Sequence, residues 1–221
     1  MKHLIPIIIY ICMALAPVAC QHTHISQMVK SVTEQPVDTT GYQSRTVRTQ
    51  PFSAVEINCF ADVTFHQLEP GSECSVRLTA SEKLLARMKA NVSSDGKLTL
   101  EPEHNYRTNE NEVAVVHLYA PAVNEFTVNG GKCLRLQELT AQTPVKVVLY
   151  GVGTINCTRL MAPEVVTRLE GVGSIDLEGI DTQRLRAELN GVGDIVLAGR
   201  AAQQHIMLEG TGHIDTDNLK K

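Results

Sequence analysis

The side chains able to do chemistry in this 221-residue chain are few and scattered. Two carboxylates, Asp176 and Asp215, each follow a Gly-x-Gly-x-Ile block, and paired acids are what glycoside-cleaving enzymes use. If each block opens one lap of a stacked chain, the two acids share an outer face two laps apart. That separation is roughly 10 Å, slightly beyond the reach of an acid–base pair. His22-x-His24 offers at most a weak pair of metal ligands, and no Cys-x-x-Cys or Cys/His spacing points to zinc. A calcium ladder needs a repeated acid. The residue after each corner isoleucine is instead Asn156, Asp176, Val196 and Asp215, and the nine-residue period of such ladders is missing. The glycine pairs are not nucleotide loops either, because no third glycine or Gly-Lys-Ser/Thr follows and no helix pattern begins there. The residues therefore predict no catalytic group, no cofactor and no metal site, and the chain reads as not an enzyme.

One cysteine has a chemical assignment. Residues 1–19 carry Lys2, an apolar stretch centred on Ile7-Ile8-Ile9 and a small-residue exit. They read as a secretory signal, too short for a transmembrane helix. The exit Leu15-Ala16-Pro17-Val18-Ala19-Cys20 is similar to a bacterial lipobox, with Pro17 where leucine is usual. Cys20 is then the expected acylation site, and a lipidated cysteine anchors the chain to a membrane. The expected location is the cell envelope, beyond the inner membrane. Gln21 to His24 lacks an acidic run, which leaves periplasmic and surface faces both open. Residues 20–50, rich in Gln, Thr and Ser, read as a flexible tether. The whole chain has a net charge of −4, and removing Lys2 leaves 19 basic against 24 acidic residues. Nucleic-acid binding needs the opposite balance.

Past Cys20, four cysteines remain: Cys59, Cys74, Cys133 and Cys157. An envelope compartment permits disulfides, and Cys59 with Cys74 is the pairing that neighbouring strands would favour. Cys157 also reads as a small buried hydrophobe.

These groups must be carried by a repeat. The sequence runs Leu149-Tyr150-Gly151-Val152-Gly153-Thr154-Ile155, then Leu169-Glu170-Gly171-Val172-Gly173-Ser174-Ile175. It continues with Leu189-Asn190-Gly191-Val192-Gly193-Asp194-Ile195 and Leu208-Glu209-Gly210-Thr211-Gly212-His213-Ile214. The first glycines are 20, 20 and 19 residues apart, with a fainter copy at Asn129-Gly130-Gly131, so the repeats span 128–216. Runs alternating with period two flank each corner, which means strands. Twenty extended residues span roughly 66 Å, one lap around a core, and laps stack about 4.8 Å apart. Ile155, Ile175, Ile195 and Ile214 would form one inward ladder, and Leu149, Leu169, Leu189 and Leu208 another. The expected fold is all-β, a parallel β-solenoid; an antiparallel sandwich with similar hairpins is the alternative.

Upstream, Val55–Cys59, Asp62–Phe65, Cys74–Leu78, Leu98–Leu100 and Val113–Tyr119 read as strands. Ser81 caps a short helix carrying Leu84, Leu85 and Met88, expected to close one end of the solenoid. His104 to Glu112 reads as a polar loop.

Phe52, Ile57, Asp62-Val63, the helix followed by Asp95-Gly96-Lys97-Leu98, Leu118 to Pro121 and the repeated Gly-x-Gly-x-Ile blocks together resemble the head GIN domain. That family is described as auto-transporter adhesin heads and is common in Bacteroides-type bacteria. The resemblance covers about residues 52–219, within a folded domain expected over 51–219. It implies a right-handed parallel β-helix on a secreted or lipid-anchored protein and brings no catalytic residues. Gly-Val-Gly replaces the Gly-Ser-Gly corner of many members. The implied partners are a membrane, through the lipid, and a glycan or surface-protein ligand. A periplasmic structural module that self-associates through open solenoid ends is the alternative, and a β-helix carbohydrate-active enzyme is the less favoured third reading.

Overall fold

The computed structural model describes residues 22–103 and 112–221. The signal segment, Cys20 and most of the His104–Glu112 stretch lie outside the described residues. The chain opens with helix α1 (His22–Thr33) and strand β1 (Gln43–Arg48). Strands β2 (Ala54–Ile57), β3 (Phe60–Gln67) and β4 (Ser75–Ala80) lead to the one-turn helix α2 (Glu82–Leu85). Then come β5 (Met88–Val92), β6 (Lys97–Pro102), β7 (Ala114–Ala120) and β8 (Glu125–Val128). The repeats are β9 (Gly131–Thr140), β10 (Val145–Leu149), β11 (Val152–Leu169), β12 (Val172–Leu189), β13 (Val192–Leu208) and β14 (Thr211–Lys220).

The architecture is a parallel β-solenoid of about five turns. One lap can be followed in β11. Ile155 and Cys157 point inward, then Thr158 and Arg159 both face out. Leu160 and Ala162 are buried, Pro163 and Glu164 face out, and Val165, Thr167 and Leu169 are buried again. Two successive outward residues reset a period-two pattern and bend the strand. Two such bends and one glycine corner give each lap three sides.

Stacking follows the period. Val152 pairs with Val172 and Val172 with Val192. The short lap is absorbed between Leu177 and Ile180, where the register shifts and Gly179 takes φ 56°. Ile155, Ile175 and Ile195 are fully buried and Ile214 is 8% exposed. Burying each such side chain contributes about 2 kcal/mol. The leucine ladder holds for Leu149, Leu169 and Leu189, but Leu208 is 51% exposed: among the described residues it pairs with Leu189 on one side and no strand covers the other.

At the corner, the Leu149 carbonyl accepts from the Glu170 and Gly171 N–H groups at 2.9 and 3.1 Å. The Gly151 carbonyl accepts from Val172 N–H at 3.0 Å. This doubled bonding pulls the laps so close that a Cβ on Gly171 would lie 1.9 Å from the Gly151 oxygen. Close approach, more than turn conformation, selects the first glycine of each pair. In the second column Gly193 also needs φ 141°. Lys132 occupies the matching place in β9 at φ 77°.

The first laps are not in chain order. Strand β6 pairs with β2 and β7 with β3, so β6–β7 is the outermost lap. The β2–β3 lap comes next, followed by β8–β9. Beyond β7, β4 and then β1 add antiparallel, and β5 adds antiparallel to β6. Helix α2 seals this end with buried Leu84 and Leu85, and Ser81 Oγ accepts from Leu84 N–H at 3.3 Å. Met88 is buried too, but it belongs to β5 and not to the helix.

Two expectations are corrected. Cys59 and Cys74 are not partners. Strand β7 lies between β3 and β4, and Ser75 stands beside Tyr119, at the end of β3 remote from Cys59. The register separates the two cysteines by roughly 25 Å, far beyond disulfide reach. All four described cysteines are buried free thiols. Residues 20–50 are also not simply a tether, because they contain α1 and β1. Helix α1 lies across the outer face of the repeats: Lys30 pairs with Asp176 at 2.6 Å and Thr33 Oγ1 meets Thr154 Oγ1 at 3.4 Å. Lys132 Nζ, on a side chain only 5% exposed, donates to the Thr33 and Gln35 carbonyls at 3.2 and 2.7 Å.

Candidate functional site: a groove beside an aromatic ladder

Strands β3, β7 and β9 end at the same bend of their laps. The connections that leave them, through Leu68–Pro70, Pro121–Asn124 and Ala141–Thr143, cannot lie flat on the stacked strands. They frame a groove of about 1260 Å³. Gln67 ties the floor together: its Nε2 donates to the Pro121 and Thr140 carbonyls at 3.0 and 2.8 Å, and its Oε1 accepts from Thr140 N–H at 2.8 Å. Asn124 Nδ2 bridges to Thr143 Oγ1 and the Pro144 carbonyl at 3.3 Å each. Glu69, Gln137, Glu138 and Gln142 line the groove with exposed side chains. These groups supply hydrogen-bond donors and acceptors over an extended surface.

His66 lines the groove and also belongs to an outward ladder. Parallel pairing sets His66 beside Tyr119, and their rings stack at 4.8 Å with 13° between planes. His117 stacks at 5.2 Å, and its Nδ1 lies 2.9 Å from His66 Nε2. Arg77 sits 6.0 Å from the Tyr119 ring centroid. Burial, the His117 charge and Arg77 hold His66 below the ordinary histidine value. Burial and Arg77 lower His117, with Asp62 opposing. The ladder is therefore held toward its uncharged form.

The residues singled out by sequence fall elsewhere. Asp176 and Asp215 do stand in one outward column with Val196 between them. Asp176 is held by Lys30 and accepts from Ser174 Oγ at 2.9 Å; Asp215 accepts from Asp217 N–H at 2.9 Å. The eight corner glycines form structural columns far from the groove. His22 and His24 lie in α1, and their side chains are outside those described. Among the described residues, no group of three or more His, Cys, Asp or Glu is placed to hold a metal ion, and no helix is long and apolar enough to cross a membrane. Sequence reading missed His66, His117 and Tyr119. Their signal lies in the sequence, because alternate outward positions of β3 and β7 carry rings.

A model of the family described as "Putative auto-transporter adhesin, head GIN domain" matches residues 51–221. No curated protein matches the sequence. A solved "putative adhesin" from Bacteroides fragilis aligns with TM-score 0.63 at 14% identity, covering 81% of this chain and 97% of that one. A "putative adhesin" from Parabacteroides distasonis aligns at TM-score 0.43 and 13% identity, over 84% of this chain and 99% of its own. A "putative lipid binding protein" from the same species gives 0.43 and 13%, over 82% and 97%. The Bacteroides fragilis likeness is one of fold. With the family model spanning all but the first lead-in segment of the solenoid, the chain belongs to the head GIN domain family.

Proposed function

We propose that this protein is a non-catalytic binding module of the bacterial cell envelope, exported by residues 1–19 and anchored through acylated Cys20. Its ligand is a hydroxyl-rich glycan chain taken up in the groove. The observation carrying this reading is the groove itself: amides and carboxylates (Gln137, Gln142, Glu69, Glu138) line an extended trough that runs into the His66–Tyr119 ladder. Family membership supports an adhesive role. Planar polar side chains match vicinal hydroxyl groups, and the stacked laps fix the backbone at the groove, which confines the ordering cost of binding to the side chains themselves.

The test is retention of the purified protein on an array of bacterial and host glycans, followed by titration of the retained sugars. Glu138→Ala and Gln142→Ala should each weaken binding about tenfold, the value of one or two lost hydrogen bonds, with unchanged melting temperature. Retention that is indifferent to both substitutions would remove the groove from the mechanism.

A further inference from the structure

The direction of α1 sets which end of the solenoid lies nearest the start of the described chain. Thr33 sits over Thr154 on β11, and Lys30 over Asp176 on β12. Three helical residues rise about 4.5 Å, close to the lap spacing of about 4.8 Å. The helix therefore descends one lap for every three residues toward its own N-terminus. Eight residues separate Lys30 from His22, roughly 12 Å, which carries the helix past β13 to β14, and it touches both strands. Cys20 is two residues further, within roughly 7 Å of chain. The anchor point thus belongs to the last-lap end of the solenoid.

That end differs chemically from the other. The first end is closed by β1, β4, β5 and α2. At the last end, Ile206 and Leu208 occupy inward places, paired with the fully buried Ala187 and Leu189, yet they are 39% and 51% exposed. The flanking side chains are of mixed charge, with Lys220, Lys221, Glu209 and Asp217 exposed, so it is the two apolar side chains that set this end apart. The geometry points to a lipid bilayer as the partner of this end: the head stands on the membrane with Ile206 and Leu208 at the lipid surface, and the groove projects away. This rests on acylation of Cys20. It also explains why α1 is docked, since a docked helix turns a flexible attachment into an oriented one.

The experiment uses the full acylated protein in vesicles of phosphatidylcholine and phosphatidylglycerol. An environment-sensitive fluorophore is placed on Leu208→Cys or on Gln142→Cys at the groove, the native thiols being buried. The position 208 probe should shift to the blue and be quenched by spin-labelled lipid several-fold more than the position 142 probe. Equal quenching at both sites, or the reverse order, with the protein still bound to vesicles, overturns the orientation while leaving the anchor intact. An unmodified Cys20 by intact mass and no vesicle binding would overturn the anchor itself and the orientation with it. A blue-shifted position 208 probe in the Cys20→Ser chain without lipid, together with a dimer by light scattering, would show that a second copy covers this end and overturn the bilayer assignment.

Discussion

Gly171 is stacked on Gly151 so closely that a Cβ on Gly171 would sit 1.9 Å from the Gly151 carbonyl oxygen. That oxygen is already engaged by Val172 N–H at 3.0 Å, so it cannot retreat without breaking a corner bond. Gly171→Ala should therefore cost about 3 kcal/mol and lower the melting temperature by roughly 10 °C. Asn190→Ala, at an exposed corner place, is the control and should change little. Calorimetry of the two variants checks this.

Lys132 is the one described non-glycine residue with positive φ, and its ammonium group is spent on the two carbonyls at the end of α1. Lys132→Met should free the helix while leaving the laps intact. Amide exchange from Met28 to Thr33 is expected to accelerate about a hundredfold, the equivalent of two lost hydrogen bonds from a charged donor at about 1.5 kcal/mol each. Exchange in β11 and β12 should hold. Uniform acceleration through the laps would show that Lys132 supports the solenoid and not the helix.

The histidine ladder predicts a pH dependence. Both imidazoles have folded values below the ordinary 6.5, so the unfolded chain binds more protons just below that pH. Stability present above pH 6.5 is then lost as pH falls through the folded values. Melting temperature should drop between neutral and mildly acidic pH, and the His66→Gln, His117→Gln double variant should flatten that part of the curve.

Burial pushes the Cys59 thiol up to about 12, with Glu101 adding to the effect, and the Cys157 thiol up to about 11. Neither forms thiolate at mild pH, and thiolate is the reactive species. In the Cys20→Ser chain with its signal removed, an aromatic disulfide reagent should find almost no reactive thiol in the native protein. It should find the four of Cys59, Cys74, Cys133 and Cys157 after guanidinium unfolding. Two thiols missing in denaturant would establish a disulfide.

Local pattern determined much of this fold. The Gly151, Gly171 and Gly191 spacing marks where backbones touch, and alternation around Ile155 and Ile175 marks the inside of each lap. Both are nearest-neighbour properties that repeat along the chain, so a single period reveals them. Cys157 among Leu136, Leu177 and Leu197 was legible for the same reason.

Tertiary structure alone decided the rest. The β2–β3 lap lies inside the later β6–β7 lap because β6, β2 and β8 pair through edges that are distant in sequence. Helix α1 carries no long apolar run, and Asp176, Thr154 and Lys132, placed side by side by stacking, are partners that hold it on the laps. The His66–Tyr119 contact and the groove likewise exist only where separate laps end together. Periodicity reports what each lap repeats; which edges meet, and what lies across them, depends on contacts summed over the whole chain.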